Sequence, residues 1–249
     1  MTFASPSPRR LERVPAPAKL NLFLHIVGRR ADGYHLLQSV FMLIDWMDLL
    51  EFELRPDGQI RREDTVAGLP AEDLCVRAAR ALQAATGCTL GVDIRLDKHI
   101  PAEAGMGGGS SDAASCLLAL NRLWGLGLKR SELARIGLGL GADVPFFLGG
   151  HNAWVEGVGE QLTPVSLPQA RFLVVKPPTG ASTQRIFSAP DLQRATKAAT
   201  IAGFAAIDTA GQAERCALDL QAVLEHGHND LQPVAQALCP EIGDRKSVV

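Results

Sequence analysis

The spacing of apolar residues along the chain predicts a mixture of strands and helices. Residues 14–28 alternate between apolar and mostly polar side chains, which is the period of a strand with one buried face. The same alternation at 48–55 and 89–97 predicts two further strands. In the last of these, the inward side chains would be those of Val92, Ile94 and Leu96.

Apolar residues at helical spacing predict helices over 71–86 and 110–124, each followed by a glycine that ends it. An uninterrupted apolar run directly after Asp143 predicts a buried strand. Strands are also predicted at 152–158 and 171–176, and the remainder of the chain is predicted to be mostly helical.

The composition is that of an ordinary globular protein without a strong charge bias. Of 249 residues, 47% are hydrophobic and 21% are charged, and the formal net charge is −2. This balance argues against a general nucleic-acid or anionic-membrane surface. The five cysteines are scattered without a C-x-x-C pair, which fits a reducing compartment without structural zinc. Because no apolar run reaches membrane-spanning length, we expect a cytoplasmic protein with no membrane or nucleic-acid partner.

A glycine-rich segment, PAEAGMGGGSSDAAS at 101–115, lies between a predicted strand and a predicted helix. The backbone N–H groups of Gly107–Ser111 and the positive end of the helix dipole would face the same point, an arrangement that binds phosphate. An ordinary turn with Ser110 or Ser111 as N-cap needs one glycine, and this segment has four in five positions. It lacks the lysine of a Walker loop. The pattern therefore favours an anion site of another type.

Asp143 stands between a glycine-rich turn, GLGLGA at 137–142, and the apolar run that follows. The turn matches the dinucleotide pattern G-x-G-x-x-A, but a helix-like run precedes it where that pattern requires a strand, so we interpret the match as accidental. The carboxylate of Asp143 would be held at a rim with restricted hydration. A solvated turn aspartate is the alternative, and taken alone it is the commoner case.

These motifs resemble the kinases of the galactokinase, homoserine kinase, mevalonate kinase and phosphomevalonate kinase (GHMP) superfamily, whose phosphate loop is similar to the segment at 101–115. Two longer stretches resemble the superfamily members that act on a cytidine diphosphate-linked methylerythritol in the methylerythritol phosphate route to isoprenoids. They are PAPAKLNLFLHIVGRRADGYHLLQSVF at 15–41 and LGLGADVPFFLGGHNAWVEGVGEQLTP at 138–164.

The resemblance implies an α+β fold of two domains with the active site between them. Residues 1–162 would form the N-terminal domain, which is of the ribosomal protein S5 domain 2-like type and carries the phosphate loop. Residues 163–249 would form the C-terminal GHMP domain, and the irregular segment 157–170 is the candidate boundary. The superfamily's third glycine-rich motif is missing after Pro190, where glycines stand alone. We therefore expect a truncated C-terminal domain, with lowered stability and turnover.

The resemblance also implies transfer of the γ-phosphoryl group of ATP to the 2-hydroxyl of the erythritol unit. Asp143 matches the family's base, and Lys19 matches its active-site lysine, which could keep Asp143 ionised and stabilise charge on the transferring group. Asn21, on the same strand face, could fix the substrate hydroxyls or Asp143. From the residues alone, Lys19 and Asn21 could instead lie on a solvated strand face.

ATP and Mg²⁺ are the cofactors that the resemblance implies. The ion would sit mainly on phosphate oxygens with help from Ser111, and the sequence fixes no carboxylate ligand for it. The ATP-binding residues that match the family are Pro101, Gly105, Met106, Gly107, Gly108, Gly109, Ser110 and Ser111.

Recognition of the cytidine end would lie in the GYH motif. Tyr34 matches the aromatic residue that stacks on cytosine, His35 the residue that hydrogen-bonds the base, and Phe187 the ring that closes the other side. Thr183 matches a further substrate-binding position. The alternative for Tyr34 and Phe187 is packing against the core.

Two other functions stay open from the sequence. One is a different small-molecule kinase of the superfamily, which would need no aromatic clamp for cytidine. The other is an inactive nucleotide-binding remnant, which the missing glycine motif would favour.

Overall fold

The computed structural model describes residues 9–65, 73–178, 180, 182–205 and 216–243. These residues belong to two compact units. The first unit consists of the described residues up to Ala18 and of those in Ile44–Pro101 and Gly107–Gly150. The second consists of Lys19–Leu43, Ala102–Met106 and the described residues from His151 onward. The domain boundary at 162–163 stays a prediction.

Strands and helices are mixed along the described chain, and the predicted α+β class is confirmed. The strands are β1 (Arg10–Arg29), β2 (His35–Arg55), β3 (Ile60–Asp64), β4 (Gly91–Asp97), β5 (Ala153–Glu156), β6 (Gln161–Ser166) and β7 (Cys216–Ala217). The helices are α1 (Leu74–Thr86), α2 (Gly108–Leu123), α3 (Arg130–Leu138), α4 (Val144–Gly149), α5 (Thr183–Ser188), α6 (Leu220–His226) and α7 (Gln232–Leu238). Short 3₁₀ turns occupy Ile201–Phe204 and Pro240–Ile242. No helix in the described ranges is long and apolar enough to cross a membrane.

In the first unit, β4 is the central strand of a small sheet. It pairs antiparallel with the end of β2, from Leu49 opposite Asp97 to Arg55 opposite Gly91. It also pairs parallel with β3. Its predicted inward face is confirmed, because the side chains of Val92, Ile94 and Leu96 are buried.

The helices of the first unit pack on one another around α2. Helix α1 begins at the N-cap Asp73, whose carboxylate accepts a hydrogen bond from the N–H of Val76. It ends as predicted at Gly87, where φ is 67°. Helix α2 has small buried residues, including Ala113 and Ala114, which let α1 and α4 approach closely.

In the second unit, the beginning of β2 pairs antiparallel with β5, and β5 pairs antiparallel with β6. A core of large side chains packs there around Phe23, Trp154 and Phe204. A second apolar cluster includes Ile186 of α5 and Val234 of α7, and Phe187 packs against it.

Two of the predicted strands are wrong. The apolar run after Asp143 forms helix α4, because Pro145 at its start suits the first turn of a helix and cannot donate a hydrogen bond within a sheet. A short buried helix and a short buried strand have the same apolar pattern, so periodicity did not separate them.

The segment 171–176 has no regular secondary structure, and Leu173 in it is 81% exposed.

Candidate active site

The glycine-rich segment enters α2 through left-handed backbone turns. Gly105 and Gly107 have φ of 70° and 71°, a conformation that strains residues other than glycine. Gly107 is the N-cap of α2, which begins at Gly108, two residues before its predicted start. The alternative in which Ser110 or Ser111 is the N-cap is therefore wrong. The first N–H groups of α2 have no acceptor within the helix, so they can receive an anion.

Gly108 lies where a side chain would not fit without movement. A Cβ atom there would be 3.1 Å from Cγ2 of Ile100 and 3.1 Å from Nζ of Lys98. The backbone at the start of α2 therefore packs closely against the segment that leaves β4.

A buried cluster of three charges joins the two ends of the glycine-rich segment. Nζ of Lys98 donates to Oδ2 of Asp48 at 2.5 Å and to Oδ2 of Asp112 at 2.6 Å. Oδ1 of Asp48 accepts the N–H groups of His99 at 2.6 Å and of Ile100 at 2.7 Å. The residues just before the segment are thereby tied to Asp112, the fifth residue of α2, which begins within the segment. We call Asp48, Lys98 and Asp112 the charge cluster.

Ser111, in the first turn of α2, has a buried hydroxyl oxygen with no hydrogen-bond partner among the described residues. Buried hydroxyl groups in folded proteins are normally hydrogen-bonded. This hydroxyl group can therefore make a hydrogen bond to a ligand, or its oxygen can bind a metal ion.

The turn that carries Asp143 lies against the start of α2. A Cβ atom at Gly141 would be 3.6 Å from Oγ of Ser110, and α4, which follows Asp143, packs on α2. Asp143 is half-buried, and its side chain does not cap α4. The first unit thus packs the turn that carries Asp143 against the uncapped start of α2, and the role of Asp143 stays a prediction.

Lys19 is buried, so a solvated strand face is wrong for it. Its Nζ donates to Oδ1 of Asn21 at 2.7 Å and lies 4.2 Å from the centroid of the Phe41 ring. This cation–π contact holds the ammonium group in a low-polarity environment. The N–H of Lys19 also donates to the carbonyl of Met106 at 3.0 Å. The second unit therefore ties Lys19 to the glycine-rich segment.

The second unit also pairs two of the predicted cytidine-binding residues. The rings of His35 and Phe187 stack with centroids 5.3 Å apart and planes 30° from parallel. Tyr34, next to His35, is 65% exposed, so packing against the core is wrong for this side chain. Thr183 is the exposed first residue of α5, the helix that carries Phe187. Exposed and stacked rings of this kind suit a planar ligand.

Comparison with known proteins identifies the family to which the chain belongs. The family described as "GHMP kinases N terminal domain" matches residues 73–151. The chain is 65% identical to the 4-diphosphocytidyl-2-C-methyl-D-erythritol kinase of Variovorax paradoxus over 231 residues, which are 93% of this chain and 78% of that protein. It is 64% identical to the kinase of the same name from Paracidovorax citrulli over 240 residues, which are 95% of this chain and 79% of that protein. The chain belongs to the 4-diphosphocytidyl-2-C-methyl-D-erythritol kinase family.

Solved structures agree with this membership. A crystal structure of 4-(cytidine 5'-diphospho)-2C-methyl-D-erythritol kinase superposes with a TM-score of 0.70 at 33% identity, over 94% of this chain and 80% of that one. Homoserine kinase from Cytophaga hutchinsonii has a TM-score of 0.54 at 16% identity, over 68% of this chain and 55% of that one. The second likeness shows the fold alone. The predicted GHMP fold and kinase family are confirmed, while the roles of the individual residues stay predictions.

The sequence motifs of this kinase family did not point to the charge cluster or to Phe41. Asp48 and Lys98 are separated by 50 residues, and Phe41 lies on a different strand from Lys19. One signal was present in the sequence. Asp48 is the first residue of the alternating segment 48–55, and Lys98 directly follows the alternating segment 89–97, so both stand at the border of a predicted strand.

Within the charge cluster, the pKa values of Asp112 and Lys98 are both shifted. Burial raises the pKa of Asp112 to about 7, although Lys98 opposes this shift, and the neighbouring Asp48 adds to it. Burial alone would lower the pKa of Lys98, but Asp112 and Asp48 outweigh burial and raise it. The ammonium group therefore stays charged, and it is the group that allows two carboxylates to share this buried position.

Replacement of Lys98 by methionine should destabilise the protein strongly. Lys98→Met keeps the length of the side chain but leaves Asp48 and Asp112 as uncompensated buried acids, which costs about 3–5 kcal/mol. Urea unfolding measures this loss, and Lys197→Met, at an exposed position, is the matched control. A loss below about 1 kcal/mol would show that the cluster contributes no more than a surface pair does.

Proposed function

We propose that this chain transfers the γ-phosphoryl group of ATP to the 2-hydroxyl of 4-diphosphocytidyl-2-C-methyl-D-erythritol. The observation that carries this proposal is the uncapped start of α2 after Gly107, with the turn bearing Asp143 packed against it. Membership of the kinase family supports the substrate, since relatives at 64–65% identity have this name.

The glycine-rich segment would bind the phosphates of ATP. Several N–H groups at the start of a helix give directed donors and a partial positive charge, so an anion binds there without a lysine in the loop. The absence of side chains at Gly107, Gly108 and Gly109 lets the phosphate oxygens approach the backbone.

Asp143 would accept the proton of the substrate hydroxyl, and Lys19 would stabilise negative charge on the transferring group. Phosphoryl transfer requires positioning and charge neutralisation rather than a covalent protein intermediate, so one carboxylate and one fixed cation are sufficient side-chain chemistry. Contacts with Asn21 and Phe41 hold the ammonium of Lys19 and reduce the reorganisation needed during the reaction. Asn21 would in addition contact substrate hydroxyls.

Mg²⁺ would neutralise phosphate charge in this reaction. Ser111 fits the ion because its buried hydroxyl oxygen has no partner among the described residues. The same residues contain no group of three or more His, Cys, Asp or Glu side chains that could hold a metal. A site with Ser111 as a single protein ligand beside the ATP phosphates agrees with the preference of Mg²⁺ for phosphate oxygens, waters and few protein ligands.

The cytidine end would bind between Tyr34 and Phe187, with His35 hydrogen-bonding the base and Thr183 close to the same ligand. Each stacking contact would contribute on the order of 1–3 kcal/mol. The two other functions that the sequence left open are not favoured, because relatives at 64–65% identity are named as the kinase of the cytidine substrate. The division at 162–163 and a cytoplasmic location remain predictions.

The proposed reaction predicts a specific product. The purified chain with ATP and Mg²⁺ should convert 4-diphosphocytidyl-2-C-methyl-D-erythritol to a derivative that carries one more phosphate, on the 2-hydroxyl. Phosphorus NMR of the product identifies the site of the new ester, and CMP should inhibit competitively against this substrate. Turnover of homoserine or mevalonate without inhibition by CMP would overturn the proposal in favour of another kinase activity.

Removal of either reacting charge should lower turnover without loss of ATP binding. Asp143→Asn and Lys19→Ala should each reduce kcat by about 10²-fold or more, as the loss of a general base or a fixed cation does. Steady-state kinetics measures kcat, with Asp191→Asn and Lys197→Ala at exposed positions as matched controls. A kcat for Asp143→Asn close to that of the unchanged protein would remove Asp143 as the base.

Loss of the Tyr34 ring should affect only the cytidine substrate. Tyr34→Ala should weaken binding of that substrate by roughly 1–3 kcal/mol and leave the KM for ATP nearly unchanged, because the ring is exposed and would stack on the base. Equal losses for the two substrates, or a lowered melting temperature, would instead indicate a structural role.

A further inference from the structure

Arg194 lies beside the stacked rings of the second unit, although no sequence motif pointed to it. Its Nε donates to Nε2 of His35 at 3.2 Å. Its terminal nitrogens donate to the carbonyls of Pro190 at 3.2 Å and Leu192 at 3.0 Å, and to the carbonyl of Ala189. The chain just after α5 therefore holds the guanidinium, and the N–H of its Nε faces His35.

The hydrogen bond from Arg194 determines which nitrogen of His35 carries the proton. A guanidinium can only donate, so Nε2 of His35 must be the acceptor in this pair. A neutral imidazole with an acceptor at Nε2 carries its hydrogen on Nδ1. Stacking on Phe187 restricts the plane of the same ring. The tautomer and the orientation of the His35 ring are therefore set by Arg194 and Phe187, which both lie outside the GYH motif.

The surroundings also favour the uncharged ring. Burial lowers the pKa of His35, and the cations Arg194 and Arg29 lower it further. These two arginines are the charged groups that act on His35 among the described residues, and its stacking partner Phe187 is uncharged. The ring therefore stays neutral at pH 7.

We propose that Arg194 is a positioning residue that fixes His35 in the neutral tautomer protonated on Nδ1, so that His35 offers a pyrimidine base a single hydrogen-bond donor. The inference rests on the proposed function, in which His35 contacts the cytidine end. Cytosine presents acceptors at N3 and O2, whereas N3 of uracil carries a hydrogen. A donor fixed on Nδ1 therefore suits the acceptor edge of cytosine.

The tautomer can be measured without any substrate. Nitrogen-15 NMR of histidine-labelled protein distinguishes a protonated from an unprotonated ring nitrogen, and His35→Phe assigns the signals. The expected spectrum has the proton of His35 on Nδ1 at pH 8. In Arg194→Met, the signals should move toward a mixture of the two tautomers. A proton on Nε2 in the unchanged protein would overturn the proposal.

Binding of cytidine tests the consequence for recognition. We expect Arg194→Met to weaken cytidine binding up to about five-fold at pH 8, because only the fraction of His35 that still carries its proton on Nδ1 then offers the donor. At an acid pH low enough to protonate His35, both ring nitrogens carry a hydrogen, so the deficit of Arg194→Met should disappear. Arg194→Lys, which keeps a donor and a charge, should restore part of the affinity at pH 8. Affinity for ATP is the internal control and should not change.

A double-mutant cycle separates positioning from a general structural effect. His35→Phe keeps a ring for stacking but removes the donor, so it should weaken cytidine binding at both pH values. Adding Arg194→Met to His35→Phe should then cause no further loss. A further loss in the double variant, or an unchanged affinity of Arg194→Met at pH 8, would overturn the proposal. If the unchanged protein has the Nδ1 tautomer but does not bind cytidine, the role in base recognition is overturned together with the proposed function, and the effect of Arg194 on the tautomer stands.

Discussion

The ammonium group of Lys98 is the contact on which the geometry of the glycine-rich segment depends. A loop of glycines has no side chains that could fix its own shape, and its backbone loses much conformational entropy on folding. The ends of such a loop must therefore be fixed from outside. Lys98 does this because it joins Asp48, which holds the backbone before the loop, to Asp112, the fifth residue of α2. Neither carboxylate would be tolerated in this buried position without it.

The fold was predictable from the sequence wherever one side of an element is buried. The alternation at 89–97 fixed both the position of β4 and its inward face, and Gly87 marked the end of α1. The sequence failed where apolar character is continuous. The six residues of α4 have no polar side chain to define a period, and only Pro145 distinguishes a helix start from a strand.

The candidate site was predictable to the extent that it is carried by local motifs. The uncapped helix start, Lys19, His35 and Phe187 all lie in segments that could be recognised in the sequence, but the stacking of His35 on Phe187 was not predicted. The groups that hold these residues could not be found in that way. Lys98 reaches Asp48 across 50 residues, and Arg194 reaches His35 across 159. Such contacts depend on the completed fold, because charged residues of these types are common and most of them lie in solvent.

The two proposed ligands call for different kinds of donor, and the chain supplies each in a different way. Phosphate needs several donors that converge on one point, and backbone N–H groups at a helix start provide them without selecting a particular nucleotide. A base needs one donor in one direction, since discrimination depends on the pattern of donors and acceptors along its edge. An unconstrained histidine offers either a donor or an acceptor at the same nitrogen, so by itself it cannot supply that direction. The guanidinium of Arg194, itself held by three backbone carbonyls, removes this ambiguity for His35. Specificity for the base would thus depend on a residue that does not touch it.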